Sequence, residues 1–185
     1  MPQIDLLVNE DTLAVAKLLP NINCIHTFSY QMKSERRLNQ EKEIIFKIFR
    51  KYDLSINLTA SDRSVIYALL ASKKSISAVE KFNRKSWWKK LLLSFYYFFD
   101  DTQHILCNNL ESLNLLQINH KKSLSAPKAS KKLITKIKNK LDEKGVSKFV
   151  IFHPSAQYKY KVYSKNLRLE LLNILSQLNI PIVVT

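Results

Sequence analysis

Three stretches of the sequence carry residue types at spacings that could do chemistry. In the first, His153-Pro154-Ser155 follows an apolar run, and Lys161 comes a little further along the same polar stretch. A hydroxyl and an ammonium on a loop after a strand can contact phosphate oxygens, and open α/β sheets bind ligands at those strand ends. The alternative is that Lys161 is one more solvated lysine. His153 could act as a general base, although a turn histidine before proline is more often structural. In the second, Arg63 and Ser64 sit just beyond the apolar run Leu54 to Leu58. A guanidinium there could pair with a phosphate, or with neighbouring Asp62, or lie in solvent. In the third, Lys81, Arg84, Lys85, Lys89 and Lys90 flank Trp87 and Trp88, and the apolar cluster Leu91 to Phe99 follows. Cations and indoles beside an apolar face suit an anionic membrane surface. They suit equally a core helix with solvated lysines. The remaining nucleophiles and ligands are sparse. His26, His104 and His120 show no ligand spacing with one another or with Cys24 and Cys107, so no metal site is expected. The two cysteines read as unpaired core residues.

Composition sets the limits around these groups. With 185 residues, 46% of them hydrophobic and 24% charged, the chain is globular and long enough for a sizeable core. Its one glycine, Gly145, excludes a glycine-rich phosphate loop of the dinucleotide or Walker type within these residues. The net charge of +15 favours anionic partners. The excess is largely lysine, alongside abundant asparagine and isoleucine, a pattern that an AT-rich genome also produces. Nucleic acid is therefore not the expected partner, and no nucleic-acid fold signature is legible. The start of the chain lacks the basic and apolar regions of a signal peptide. The longest apolar cluster is far short of the ~20 residues that span a bilayer. The expectation is a cytoplasmic protein able to make peripheral contact with a membrane.

The elements that must position these groups alternate between strand and helix. Strands are expected at Ile4 to Val8, Cys24 to Phe28, Leu54 to Leu58, Ser75 to Val79, Lys148 to Phe152 and Pro181 to Val184. Helices are expected at Leu13 to Leu19, Gln40 to Lys51, Ser64 to Ser72, His104 to Ile118, Ser130 to Lys144 and Lys165 to Leu178, with Gly145 as a C-cap. The alternation implies a parallel sheet covered by helices on both faces. Asn119 to Pro127 is polar and ends in proline, so it reads as a linker between a first domain, 1–118, and the start of a second, 128–185. Only one strand–helix–strand unit follows that linker, as expected of the middle of a longer protein.

Several segments resemble the bacterial heptosyltransferases of glycosyltransferase family 9. Ile4-Asp5-Leu6-Leu7-Val8 with Asn21-Ile22-Asn23 is similar to the family's second strand and its exit. Tyr52-Asp53-Leu54-Ser55-Ile56-Asn57-Leu58 with Arg63-Ser64 is similar to its "YDLVINL…(K/R)S" segment. Phe149 to Ala156 with Lys161 resembles the "HPxA…K-x-W" segment, with Tyr163 in place of the usual tryptophan and Ser155 where threonine is common. Ile180 to Thr185 resembles a strand that runs into a Gly-Gly turn.

The resemblance implies a Rossmann-like parallel sheet within an incomplete GT-B architecture: most of an acceptor-side domain and the start of a donor-binding one. It implies inverting, metal-independent transfer of heptose from ADP-heptose to the lipopolysaccharide inner core, with no cofactor. Ser155 and Lys161 would hold the donor diphosphate, and Arg63 and Ser64 the acceptor. Lys85, Trp87, Trp88, Lys89 and Lys90 would meet the membrane that carries that acceptor. The presumed base belongs to a family segment preceding the equivalent of residue 1, so these 185 residues alone are expected to be inactive. A basic membrane-surface or nucleic-acid-binding protein without catalysis is the alternative reading.

Overall fold

The computed structural model describes residues 2–31, 34–82, 84–119, 127–156 and 158–185; the side chains of 34–36 and 84 lie outside that description. Most of the expected linker, 120–126, and His120 with it, also lies outside the described residues. The chain divides into two compact units, Met1–Pro127 and Lys128–Thr185.

The first unit runs β1 (Ile4–Asn9), a 3-10 turn, α1 (Leu13–Ala16), β2 (Ile22–Phe28), α2 (Ser34–Ile48), β3 (Tyr52–Asn57), α3 (Asp62–Ala71), β4 (Ser72–Glu80), α4 (Trp87–Leu92), β5 (Phe95–Phe99) and α5 (Ile105–Leu115). Among the described residues every strand pairing is parallel. β1 pairs with β2, and β3, β4 and β5 pair in that order. Parallel neighbours need a crossover, and α1, α3 and α4 supply one each. α2 carries the chain from the two-stranded sheet to the three-stranded one. Among the described residues, no strand pairs with the outer edge of β1 or of β3.

β4 is the centre of the larger sheet and is buried on both faces. Val79 packs with Val65 and Leu93 on one face, and Ile76 and Ala78 pack with Tyr97 on the other. Burial on both sides erases the alternation of polar and apolar residues that marks a half-exposed strand. Three serines in β4 are buried and bonded: the Ser72 hydroxyl to the Lys74 carbonyl at 2.5 Å, the Ser75 amide to the Ser94 hydroxyl at 3.1 Å, and the Ser77 hydroxyl to the Ala78 carbonyl at 2.8 Å. A third cluster joins Ile44 and Ile48 of α2 to Tyr67 and Ala71 of α3, with Leu7, Phe28 and Tyr52 against it. α2 thus packs on residues from both sheets.

The second unit runs α6 (Lys131–Asp142), β6 (Val150–Phe152), a 3-10 turn Lys159–Lys161, α7 (Lys165–Ser176) and β7 (Ile182–Val184). β6 and β7 pair in parallel around the α7 crossover. α6 closes as expected: Gly145 has φ +65° and the Val146 amide bonds the Leu141 carbonyl at 2.9 Å. That left-handed conformation is the one glycine adopts without steric cost.

The middle of the first unit departs from the sequence reading. The apolar cluster Leu91 to Phe99 is two elements. α4 ends at Leu92, Leu93 is extended, and Phe95–Phe99 forms β5. A run of aromatics favours a pleated strand, whereas its uniform apolarity hides the change of period. α2 starts at Ser34 rather than Gln40, because its first turns carry no apolar stripe to announce them.

Candidate functional site

The second unit holds a cleft of about 320 Å³ beyond the carboxyl end of β6. Its polar wall is His153, Ser155, Lys161, Tyr163 and Arg168, while Phe152 and Leu171 supply apolar surface. Local folding explains this convergence. β6 delivers His153 to Ser155 at its carboxyl end, and the 3-10 turn brings Lys161 back beside them. Ser164 then caps α7 through the Leu167 amide at 3.4 Å, and Arg168 lies in the first turns of that helix. The structure therefore brings together Ser155 and Lys161, the two residues expected to contact phosphate. The Lys161 ammonium lies 5.4 Å from the Tyr158 ring centre and 5.7 Å from that of Tyr160; the two rings stack at 5.6 Å. His153 Nδ1 is 3.1 Å from the Thr185 carbonyl and 2.9 Å from its hydroxyl, so the ring is tied to the end of β7. No residue lining the cleft is acidic. Two cations, two hydroxyls and an imidazole without a carboxylate suit an anion chemically. Arg168 escaped the sequence reading; its only signal was a basic residue near the start of a helix that follows a phosphate-type loop.

Arg63 and Ser64 follow β3 but are occupied. The Arg63 guanidinium makes an ion pair with Glu41 at 2.6 Å, a contact that is ionic rather than an aligned hydrogen bond. Its Nε donates to the Tyr67 hydroxyl at 3.1 Å, and it lies over Phe28, Tyr30 and Tyr67 at 4.8, 5.6 and 5.6 Å. Its partner is thus Glu41 of α2, not the neighbouring Asp62. Tyr67 also donates to Glu41, and burial, then that bond, pushes its hydroxyl up to about 12. The Ser64 amide bonds the Ser61 hydroxyl at 3.3 Å, and its own hydroxyl is 2.6 Å from Thr59 Oγ1, so Ser64 belongs to the α3 cap. An acceptor anion at Arg63 would have to displace Glu41.

The basic and aromatic segment divides by face. Lys89 has no exposed surface, which corrects its expected place at a lipid surface. Its ammonium meets Asp62 at 2.7 Å, Glu80 at 2.9 and 3.1 Å, and donates to the Ala60 carbonyl at 2.5 Å. It is a brace across the carboxyl ends of β3 and β4. Burial alone would raise the Glu80 carboxyl, but the bonds from Lys89 and Ser86 bring it below the usual glutamate range. Trp88 is half-buried against Val65, Val79 and Leu93, so it too faces inward. Trp87 and Leu91 are 66% and 72% exposed, one helical turn apart. Lys85 is exposed, and the Lys90 ammonium lies 4.9 Å from the Phe98 ring centre.

A further cluster shows what residue spacing missed. The ligand-type atoms of Asp5, Cys24 and His26 all lie within 4.8 Å of one another. Cys24 and His26 are two apart on β2 and so share a face, and Asp5 pairs with Cys24 across the sheet. Asn23 is the extra residue of a bulge, and its amide donates to Asp5 at 2.9 Å. The Tyr52 hydroxyl donates to Asp5 at 2.8 Å and lies 3.1 Å from His26 Nε2. These bonds tie β1 and β2 to the start of β3. The cluster runs from the amino end of β1 to just past the middle of β2, where His26 pairs with Leu7, short of the carboxyl edge where α/β sheets bind ligands.

No protein-family model matches the sequence, and no curated protein sequence does. Solved structures do. The glycosyl transferase family 9 protein of Veillonella parvula DSM 2008 superposes with a TM-score of 0.76 at 14% identity, over 98% of this chain and 53% of that one. The fold is the family 9 glycosyltransferase fold. E. coli heptosyltransferase WaaC, solved with ADP, shares it with a TM-score of 0.69 at 14% identity, over 98% of this chain and 56% of WaaC. WaaC solved with ADP-2-deoxy-2-fluoro heptose gives 0.69 at 12% identity, over 98% and 58%. This chain spans just over half the length of these family 9 fold proteins. Among the described residues, no helix is long and apolar enough to cross a membrane.

Proposed function

We propose that the chain is part of a heptosyltransferase-type glycosyltransferase and that its second unit holds the diphosphate of a nucleotide-sugar donor, ADP-heptose by likeness to WaaC. The observation that carries this reading is the meeting of Ser155 and Lys161 in one acid-free cleft after β6, in a chain that shares its fold with an ADP-bound transferase. An inverting sugar transfer leaves charge on the departing diphosphate, and preorganised donors at that point lower the barrier. Lys161 supplies charge and Ser155 a hydroxyl; neither needs a metal. The acceptor, a lipopolysaccharide core sugar, is assigned to the first unit beside Arg63. Isothermal titration of the purified chain with ADP tests the donor assignment. ADP is expected to bind more tightly than adenosine, and Lys161→Ala to weaken ADP at least tenfold, as loss of a charge-assisted hydrogen bond does. Equal affinity for ADP in the parent and in Lys161→Ala sinks the assignment.

A second reading concerns the exposed face of α4. Trp87, Leu91 and Leu92 are 66%, 72% and 57% exposed, with Lys85 and Lys90 in the same segment. An indole and leucines beside lysines match an anionic lipid interface, so this face is proposed to rest on the membrane that carries the acceptor.

A further inference from the structure

Arg168 lines the cleft with Ser155 and Lys161. Its Nε is buried and, among the described residues, has no hydrogen-bond partner. A guanidinium is always charged and carries five donors in a rigid fork. Taking one of those N–H groups from water without an acceptor is unfavourable, and native structures seldom tolerate it unless something external supplies the acceptor. Nothing in the cleft wall can supply an anionic one, because no lining residue is acidic. The side chain is also held in place from its backbone. Arg168 is inside α7, where its amide bonds the Ser164 carbonyl at 3.0 Å, in a turn fixed by the Ser164 cap.

We infer that Arg168 is a second cationic ligand in this cleft, and that the anion it takes with Lys161 is a diphosphate. The inference rests on the donor-site reading above and adds a residue to it. Lys161 is a point charge held over the Tyr158 and Tyr160 rings. Arg168 offers a planar fork that suits two oxygens of one phosphoryl group. The pair provides two positive centres of different geometry, which matches adjoining phosphoryl groups better than a single phosphate. Ser155 contributes a neutral donor between these roles.

The test uses the full 185-residue chain, with inorganic pyrophosphate, inorganic phosphate and ADP as separate probes. Isothermal titration is expected to show pyrophosphate at least tenfold tighter than phosphate. Arg168→Gln should lose at least tenfold for pyrophosphate and ADP, with Arg168→Lys in between. A second measurement does not depend on any variant folding. In a proton–nitrogen correlation spectrum of the parent protein, labelled at arginine nitrogens, the Arg168 Nε–H signal should move downfield as pyrophosphate is added. If ADP binds and Lys161→Ala weakens it, while Arg168→Gln has no effect and the Nε–H signal stays put, the inference falls and the donor-site reading stands. If pyrophosphate binds with Arg168 dependence but ADP does not bind, the nucleotide reading falls and the inference stands. If neither probe binds the folded parent chain, both fall.

Discussion

Lys89 shows how much a single residue's role depends on contacts far along the chain. It lies in a run of cations beside two tryptophans, yet it is fully buried between Asp62, Glu80 and the Ala60 carbonyl. Only the lysine is buried; the Asp62 and Glu80 side chains keep 72% and 36% of their exposure, so losing Lys89 removes charge-assisted hydrogen bonds without stranding a buried charge, at a cost of about 2 kcal/mol. Lys89→Met is therefore expected to lower the unfolding free energy by about 2 kcal/mol, read from the urea midpoint, whereas the exposed neighbour Trp87→Ala should change it little. The same cluster makes stability depend on pH. Glu80 in the folded protein titrates below its usual 4.5. The stabilisation is thus complete above that value and lost as pH falls through the lower folded value. Urea midpoints of the parent should fall in acid below pH 4.5, and Glu80→Gln should flatten that part of the profile. At this scale the meeting of Ser155 and Lys161 in one cleft was legible, because both lie in the polar stretch that follows one strand. Arg168, the Glu41 partner of Arg63 and the Asp5–His26–Tyr52 tie were not. Each joins residues whose nearness is created by a crossover, and no local pattern records it.

At the scale of elements, legibility followed periodicity. α6 and its Gly145 cap stood out because an amphipathic stripe ends at a glycine that adopts φ +65°. β5 did not, since five aromatics in a row look alike as strand or helix. That division of Leu91 to Phe99 matters for function. α4 turns Trp88 and Lys89 inward and leaves Trp87 and Leu91 outward. Of the large apolar residues of α4, Trp87, Leu91 and Leu92 are therefore the ones open to lipid. Co-sedimentation with vesicles rich in anionic phospholipid should fall severalfold for the Trp87→Ala/Leu91→Ser double variant and should weaken with added salt. Unaltered sedimentation of that variant removes α4 from contact with membranes.

For the whole molecule, the sequence order of strands and helices was enough to anticipate a parallel α/β fold, and the solved structures of the family 9 fold agree over 98% of the chain. What no periodicity revealed is that the strands of the first unit form two separate ladders. Pairing is a property of partners, and the outer edges of β1 and β3 look, residue by residue, like any other strand edge. Among the described residues the ladders are joined by α2, by Arg63 of α3 over Phe28 and by the Tyr52–Asp5 and Tyr52–His26 contacts, and no strand pairing links them. That arrangement has a consequence for how the unit opens. Cooperative units in amide exchange follow contiguous packing and hydrogen bonding. β4, bonded on both sides and buried, should exchange slowest, in step with global unfolding. Amides of β1 and β2 should exchange faster, as a group, through an excursion that leaves β3 to β5 closed. Tyr52→Phe removes the hydroxyl's bonds to Asp5 and His26 without touching either ladder. In that variant the β1–β2 amides should exchange faster still while those of β4 keep their rate, and what then holds β1 and β2 is the packing of Leu7 and Phe28 against α2 and α3.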